Sequence, residues 1–125
     1  MKINNNKKIK SFTDLIAWQG GHKLVLRIYE ITKNFPNYEM FGLTSQMRKC
    51  AVSVTSNIAE GFSRRTNKDK INFYHISLGS LTELQNQLLI AKDVSFINQN
   101  DFIHLAKQTT NVQKILNGLR KALNT

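Results

Sequence analysis

One proline, one cysteine and six glycines are all that this sequence offers of the residues that most constrain a backbone. A lone Cys50 rules out an internal disulfide framework. The opening Met-Lys-Ile-Asn-Asn-Asn-Lys-Lys lacks the apolar segment of a secretory signal, so a reducing cytoplasm is the expected compartment. No run approaches the ~20 apolar residues needed to cross a bilayer. Strand-like alternation and internal repeats are missing as well. Acid is scarce: 8 Asp and Glu stand against 18 Lys and Arg, for a net charge of +10.

What is present is ordinary globular material, 41% hydrophobic and 21% charged, in a chain of 125 residues that suits one core. Residues 1–11, rich in Asn and Lys, are predicted to form a disordered basic arm, and residues 12–125 the folded domain. Helix one is predicted over about 13–34, capped by Thr13 or Asp14. Its apolar groups recur at Leu15, Trp18, His22, Val25, Tyr29 and Thr32, beside a second row through Ala17, Gly21, Leu24, Ile28, Ile31 and Phe35. Pro36 ends it. Gly20 and Gly21 each cost about 1 kcal/mol relative to Ala inside a helix, which implies close packing or a soft spot.

Helix two is predicted over about 44–60, with Met47, Ala51, Val54 and Ile58 on one face and Gly61 as its C-terminal cap. Thr66, with Asp69 three positions on, opens helix three over about 67–93. Asn98 and Asp101 open helix four, whose Phe102, Leu105, Thr109, Val112, Leu116, Leu119 and Leu123 alternate three and four apart, as in a bundle seam. Four amphipathic helices with short links favour an all-α, antiparallel up-down four-helix bundle.

The positive charge is uneven. Lys2, Lys7, Lys8 and Lys10 precede Ser11 with no acid among them; six bases lie between Arg48 and Lys70 against Glu60 and Asp69; Lys107, Lys114, Arg120 and Lys121 follow Phe102 unopposed. Such a field attracts polyanions, so nucleic acid is the first partner to consider. The candidate phosphate contacts are Lys7, Lys8, Lys10, Arg48, Lys49, Arg64, Arg65, Lys68 and Lys70, through counterion release. Arg64 and Arg65 lead, in a link expected to be exposed and free to conform. No aromatic row alternates with these bases, so base stacking is not signalled. Lysine-rich faces also serve solubility, and on that alternative reading the chain is a structural or protein-interaction module.

Asn57, Glu60, Ser80 and Glu83 lie on or near apolar faces, where polar groups must be paired, either across helices or at a subunit interface. The stretches FTDLIAWQ, IYEITKNFPNYEMFGLTSQMRK, AVSVTSNIAEGFSRR and INFYHISLGSLTELQNQLLIAKD carry a resemblance over about residues 12–97. Its most specific parts are Ser56-Asn57-Ile58-Ala59-Glu60-Gly61 and Gly79-Ser80-Leu81-x-Glu83-Leu84. They resemble the four-helix bundle protein family, first noted as proteins encoded in intervening sequences of large-subunit ribosomal RNA genes.

The resemblance implies an antiparallel bundle that assembles into a ring-like homo-oligomer, commonly a pentamer, with no enzymatic activity. It also implies kinship with the accessory variability determinants of diversity-generating retroelements, basic barrels that bind a reverse transcriptase and nucleic acid. Lys49 and Cys50 depart from the family's usual Arg and Ala, Thr55 from its Pro, and Gln85-Asn86 from its Glu-Thr.

An enzyme is the rival class. A di-iron bundle needs Glu-x-x-His, but Ser63 follows Glu60 and Asn86 follows Glu83 at that spacing, and His22, His75 and His104 are far apart. No nucleophile elbow or glycine-rich phosphate loop is present, and Cys50 reads as a small buried apolar group. No catalytic residue, metal or cofactor is therefore expected. Trp18, Tyr29, Phe73 and Tyr74 read as core or interface anchors. A membrane-surface role is disfavoured, because the amphipathic helices are needed by one another.

Overall fold

The computed structural model describes residues 8–124, which form four helices and no strand: α1 (Ile16–Thr32), α2 (Leu43–Phe62), α3 (Asn67–Asp93) and α4 (Gln99–Leu123). Each packs on its sequence neighbours and α1 also packs on α4, while among the described residues the backbones of the diagonal pairs stay further apart. Short links between adjacent helices make neighbours antiparallel, which gives the expected up-down order. The core is filled by Leu24, Ile28, Met47, Val54, Ile58, Tyr74, Leu81, Leu84, Leu88, Leu105, Val112 and Leu116. Leu105, Thr109, Val112 and Leu116 of the three-four seam are buried, and Phe102, Leu119 and Leu123 flank them half-buried.

Helix one begins later than its periodicity suggests. Ser11, and not Thr13 or Asp14, caps the chain here: it heads a 3-10 turn at Phe12–Asp14 in which Asp14 returns the capping box, and extended Leu15 then separates this turn from α1. On α1 the second apolar row is the buried one, because Ala17, Gly21, Leu24, Ile28 and Ile31 face α2 and α4, and Phe35 continues that row past the helix end. Val25 and Thr32 of the first row are also buried, whereas His22 and Tyr29 are exposed and Trp18 lies between, stacked on His22 at 4.7 Å. Close packing accounts for the glycine pair: a Cβ on Gly21 would lie 3.0 Å from Thr55 Cγ2, and one on Gly20 would lie 3.3 Å from Val112 Cγ2.

Gly61 does not cap α2. The helix runs on through it to Phe62, with Ser63 as cap, and Gly61 is instead buried against α3, where a Cβ would lie 2.7 Å from Tyr74 Cε1. Thr66 accepts from the Asp69 N–H at 3.1 Å and Asn98 from the Asp101 N–H at 2.8 Å, so α3 and α4 open at the expected caps.

Up-down order assigns every loop to one of two ends. The α2–α3 turn, the approach to α1 and the C-terminus of α4 share one end. Asn67 Nδ2 donates to the Leu123 carbonyl across it at 3.2 Å, and Ile9 joins Leu15, Ile115 and Leu119 around one apolar groove. The α1–α2 and α3–α4 loops share the opposite end, where Arg27 bridges Glu30 and Asp101.

Candidate nucleic-acid interface

Bases from three separate segments of sequence meet at the α2–α3 end. Lys8 and Lys10 lead into α1, Arg64, Arg65, Lys68 and Lys70 surround the α2–α3 turn, and Arg120 and Lys121 close α4. The acids at this end are already engaged or outnumbered. Asp14 Oδ2 accepts from the Lys10 and Ser11 N–H groups, Glu60 pairs with Arg64, and Asp69 sits in the first turn of α3. The opposite end is mixed, with Glu30, Glu39, Asp93 and Asp101 among its bases. Lys7 lies outside the described residues.

The turn that carries the leading candidates is not a free link. Ser63 N–H donates to the Ala59 and Glu60 carbonyls and Arg64 N–H to Gly61, so the backbone is a continuation of the helix end. Arg64 is anchored twice, with Nη2 2.6 Å from Glu60 Oε2 and its guanidinium 4.6 Å from the Phe73 ring centre. Phe73 is consequently half-buried beneath a cation, and of the four expected aromatic anchors only Tyr74 is fully in the core. Lys70 Nζ donates to the Phe62 carbonyl at 2.6 Å, satisfying an orphan acceptor of the α2 terminus. Arg65 and Lys68 are exposed and make no side-chain hydrogen bond or ion pair among the described residues. They hold the unspent charge of the turn.

Arg48 and Lys49 lie away from this end, in the first half of α2. Arg48 Nε donates to Thr32 Oγ1 at 2.9 Å with its guanidinium 4.8 Å from the Tyr29 ring centre, which ties α2 to α1. Lys49 is exposed. Beside them opens a cleft of about 570 Å³ lined by Tyr29, Met40, Phe41, Arg48, Lys49 and Ser56, among others. Phe41 is 97% exposed and Tyr38, in the preceding turn, 79%. No aromatic row alternates with the bases along the chain, yet the α1–α2 packing sets Tyr29 and Phe41 beside Arg48 and Lys49 in space. The signal available in the sequence was the run Tyr38, Met40, Phe41, three apolar side chains in a loop and on no helical stripe.

The expected polar constellation resolves into two parts. Ser53 Oγ lies 2.8 Å from Ser80 Oγ across the α2–α3 seam, and Asn57 Nδ2 donates to Ser53 at both its carbonyl (2.8 Å) and its Oγ (3.1 Å). Ser77 Oγ donates to the Val54 carbonyl at 2.8 Å and Cys50 Sγ to the Ser80 carbonyl at 3.0 Å, completing a zip of small side chains between the two most extensively packed helices. Glu60 and Glu83, by contrast, are exposed and bond near their own turns, Glu60 to Arg64 and Glu83 to Gln87. Among the described residues no three His, Cys, Asp or Glu side chains gather as a metal site, and no helix is long and apolar enough to cross a membrane.

Burial first, and Glu83 second, push the Cys50 thiol up from 9.0 to about 12; burial also raises the Tyr74 hydroxyl. Both groups hold a proton more tightly in the folded chain than in the unfolded one. Above about pH 9 the unfolded state therefore binds fewer protons, and stability is expected to fall as pH rises towards 12. Denaturant midpoints measured from neutral to alkaline pH check this, and Cys50→Ala should flatten the first part of the decline.

A family model described as 23S rRNA-intervening sequence protein matches residues 13–118. Among solved structures, the chain is similar to a protein of unknown function from the S23 ribosomal protein family of Bacteroides thetaiotaomicron, with a TM-score of 0.79 and 20% identity. The match covers 85% of this chain and 96% of that one, and at this identity the likeness is one of fold. No curated protein sequence matches the chain.

Proposed function

The chain belongs to the 23S rRNA-intervening sequence protein family, and from that premise we propose that it is a non-enzymatic basic scaffold that binds RNA or DNA electrostatically. The observation that carries this reading is the convergence of Lys8, Lys10, Arg65, Lys68 and Lys121, all exposed, on the end formed by the α2–α3 turn. Cations so grouped face several phosphates of one strand at once, and their binding is driven by release of condensed counterions. Without base-edge readers among them, the interaction is weakly sequence-specific and steeply salt-dependent.

The scaffold acts as a ring-like homo-oligomer, a pentamer on the family resemblance, and serves a cytoplasmic partner of the reverse transcriptase class. Self-association is supported by Ile76, Leu89 and Ile90, left 47%, 47% and 44% exposed on the outer side of α3, where covering them removes apolar surface from water. A ring would set several basic ends side by side.

The test is binding of the purified protein to single-stranded RNA and to duplex DNA across a salt series, with solution mass measured alongside. Submicromolar binding that falls steeply with salt is the expected result. No binding at low salt, or binding indifferent to salt, would overturn the reading and leave the charge as a solubilising surface on a protein-interaction module.

A further inference from the structure

The cleft on the outer face of α2 has an uncovered aromatic ring beside its cations, whereas Phe73 at the basic end lies beneath Arg64. The cleft has flat aromatic surface in Phe41 and Tyr29, cations in Arg48 and Lys49, and hydroxyl groups in Ser45 and Ser56. Its volume, about 570 Å³, lies in the range of sites that hold a small planar ligand. The Arg48 guanidinium already lies over the Tyr29 ring, so a cationic wall and an aromatic wall stand together. Tyr38, 79% exposed, does not line the cleft and is carried by the turn Asn37–Glu39, three residues before Phe41.

We infer that this cleft and the turn leading into it form a base-stacking site for single-stranded nucleic acid, with Phe41 in the cleft and Tyr38 on the turn as the stacking surfaces and Lys49 on the phosphate. The inference rests on the nucleic-acid reading above and adds to it a strand type and a path. Aromatic rings beside cations take any base by its face and are sequence-tolerant. A protein partner in the same groove would seek aliphatic sockets, and of the lining only Met40 and Val52 are aliphatic in character.

The acids on the route are committed. Glu39 Oε1 accepts from the Leu43 N–H at 3.0 Å, capping α2, and Glu60 is held by Arg64. From Phe41 the surface continues along α2 through Lys49 and Ser56 to Arg64, and the 20 residues of α2 make a track of about 30 Å. A single strand seated on Phe41 thus reaches the basic end, whereas a duplex keeps its bases stacked inside and engages the cations alone.

The experiment compares a short oligouridylate with an RNA duplex of the same length, on the full chain and its variants. Phe41→Ala and Tyr38→Ala, both at exposed positions, are expected to weaken the single strand about tenfold each while leaving the duplex unchanged. Arg65→Ala with Lys68→Ala should weaken both ligands. Phe41→Trp should retain affinity, and its added indole fluorescence should be quenched by the single strand and not by the duplex. Equal losses on both ligands, or no loss from Phe41→Ala, would overturn the stacking site and leave the electrostatic reading standing. A change in solution mass with unmoved single-strand affinity would overturn it in favour of a contact between copies of the chain. Failure of the native chain to bind either ligand would overturn both proposals.

Discussion

Replacing Lys10, Arg65, Lys68 and Lys121 together by alanine is expected to cost most of the chain's affinity for nucleic acid while leaving its fold intact. All four are exposed at the α2–α3 end, and among the described residues none has a side-chain hydrogen bond or ion pair to lose there. The logarithm of affinity falls with the logarithm of salt at about 0.9 per duplex phosphate neutralised, so each contact removed should flatten that slope by about as much. Taking 1 M salt as the reference, the same relation makes each contact worth roughly an order of magnitude at 0.1 M. Titrations at several salt concentrations read slope and affinity together. Arg64 makes a poorer target. It already neutralises Glu60 and covers Phe73, so its replacement exposes an acid and an aromatic ring along with removing a charge. An unchanged slope in the fourfold variant would place the phosphates elsewhere.

Gly61→Ala is expected to destabilise the bundle by about 1–2 kcal/mol, although alanine is the better helix former by about 1 kcal/mol. Steric cost decides the sign. The added methyl would lie 2.7 Å from Tyr74 Cε1 and 3.0 Å from Phe73 Cβ. Tyr74 is 2% exposed, with no free space to turn into, and a Cβ cannot move without its backbone. Relief must therefore come from parting α2 and α3, along the seam where Ser53, Ser77 and Ser80 make their hydrogen bonds. Gly79→Ala is the matched control, since nothing lies within 4 Å of the Cβ it would gain. That change should raise stability by up to about 1 kcal/mol. Denaturant midpoints of the two variants should move in opposite directions, and a shift of the same sign in both would refute the packing argument.

Most of the architecture was legible in the chain. The three-four alternation from Phe102 to Leu123 and the Thr66 and Asn98 caps placed α3 and α4 nearly to the residue, because those signals are local. The entry to α1 was misread for the opposite reason: Ser11, Thr13 and Asp14 are all competent caps, and the choice is settled by the 3-10 turn packing on α2. Gly61 was misassigned because a glycine at a helix end and a glycine at a helix crossing look alike until the opposing Tyr74 is in place.

For the candidate site, the sequence supplied the ingredients without their grouping. It marked the bases around 64–70 and those after 102 as separate runs, and only the up-down order makes one surface of them. It separated Tyr29 and Phe41 from Arg48 and Lys49, which are neighbours across α1 and α2. Periodicity reports which side of a helix is buried and says nothing of what stands opposite its exposed side.

The alternation of helix direction has an electrical consequence. The macrodipoles of α1 and α3 point against those of α2 and α4 and largely cancel, so peptide groups contribute little polarity along the bundle axis. Whatever moment the molecule has along that axis comes from its side chains, with the positive pole where Arg65, Lys68 and Lys121 gather. In the field of a polyanion such a body feels a torque before it makes contact, and it arrives pole first. Salt should then slow the encounter, an effect separate from any hastening of escape.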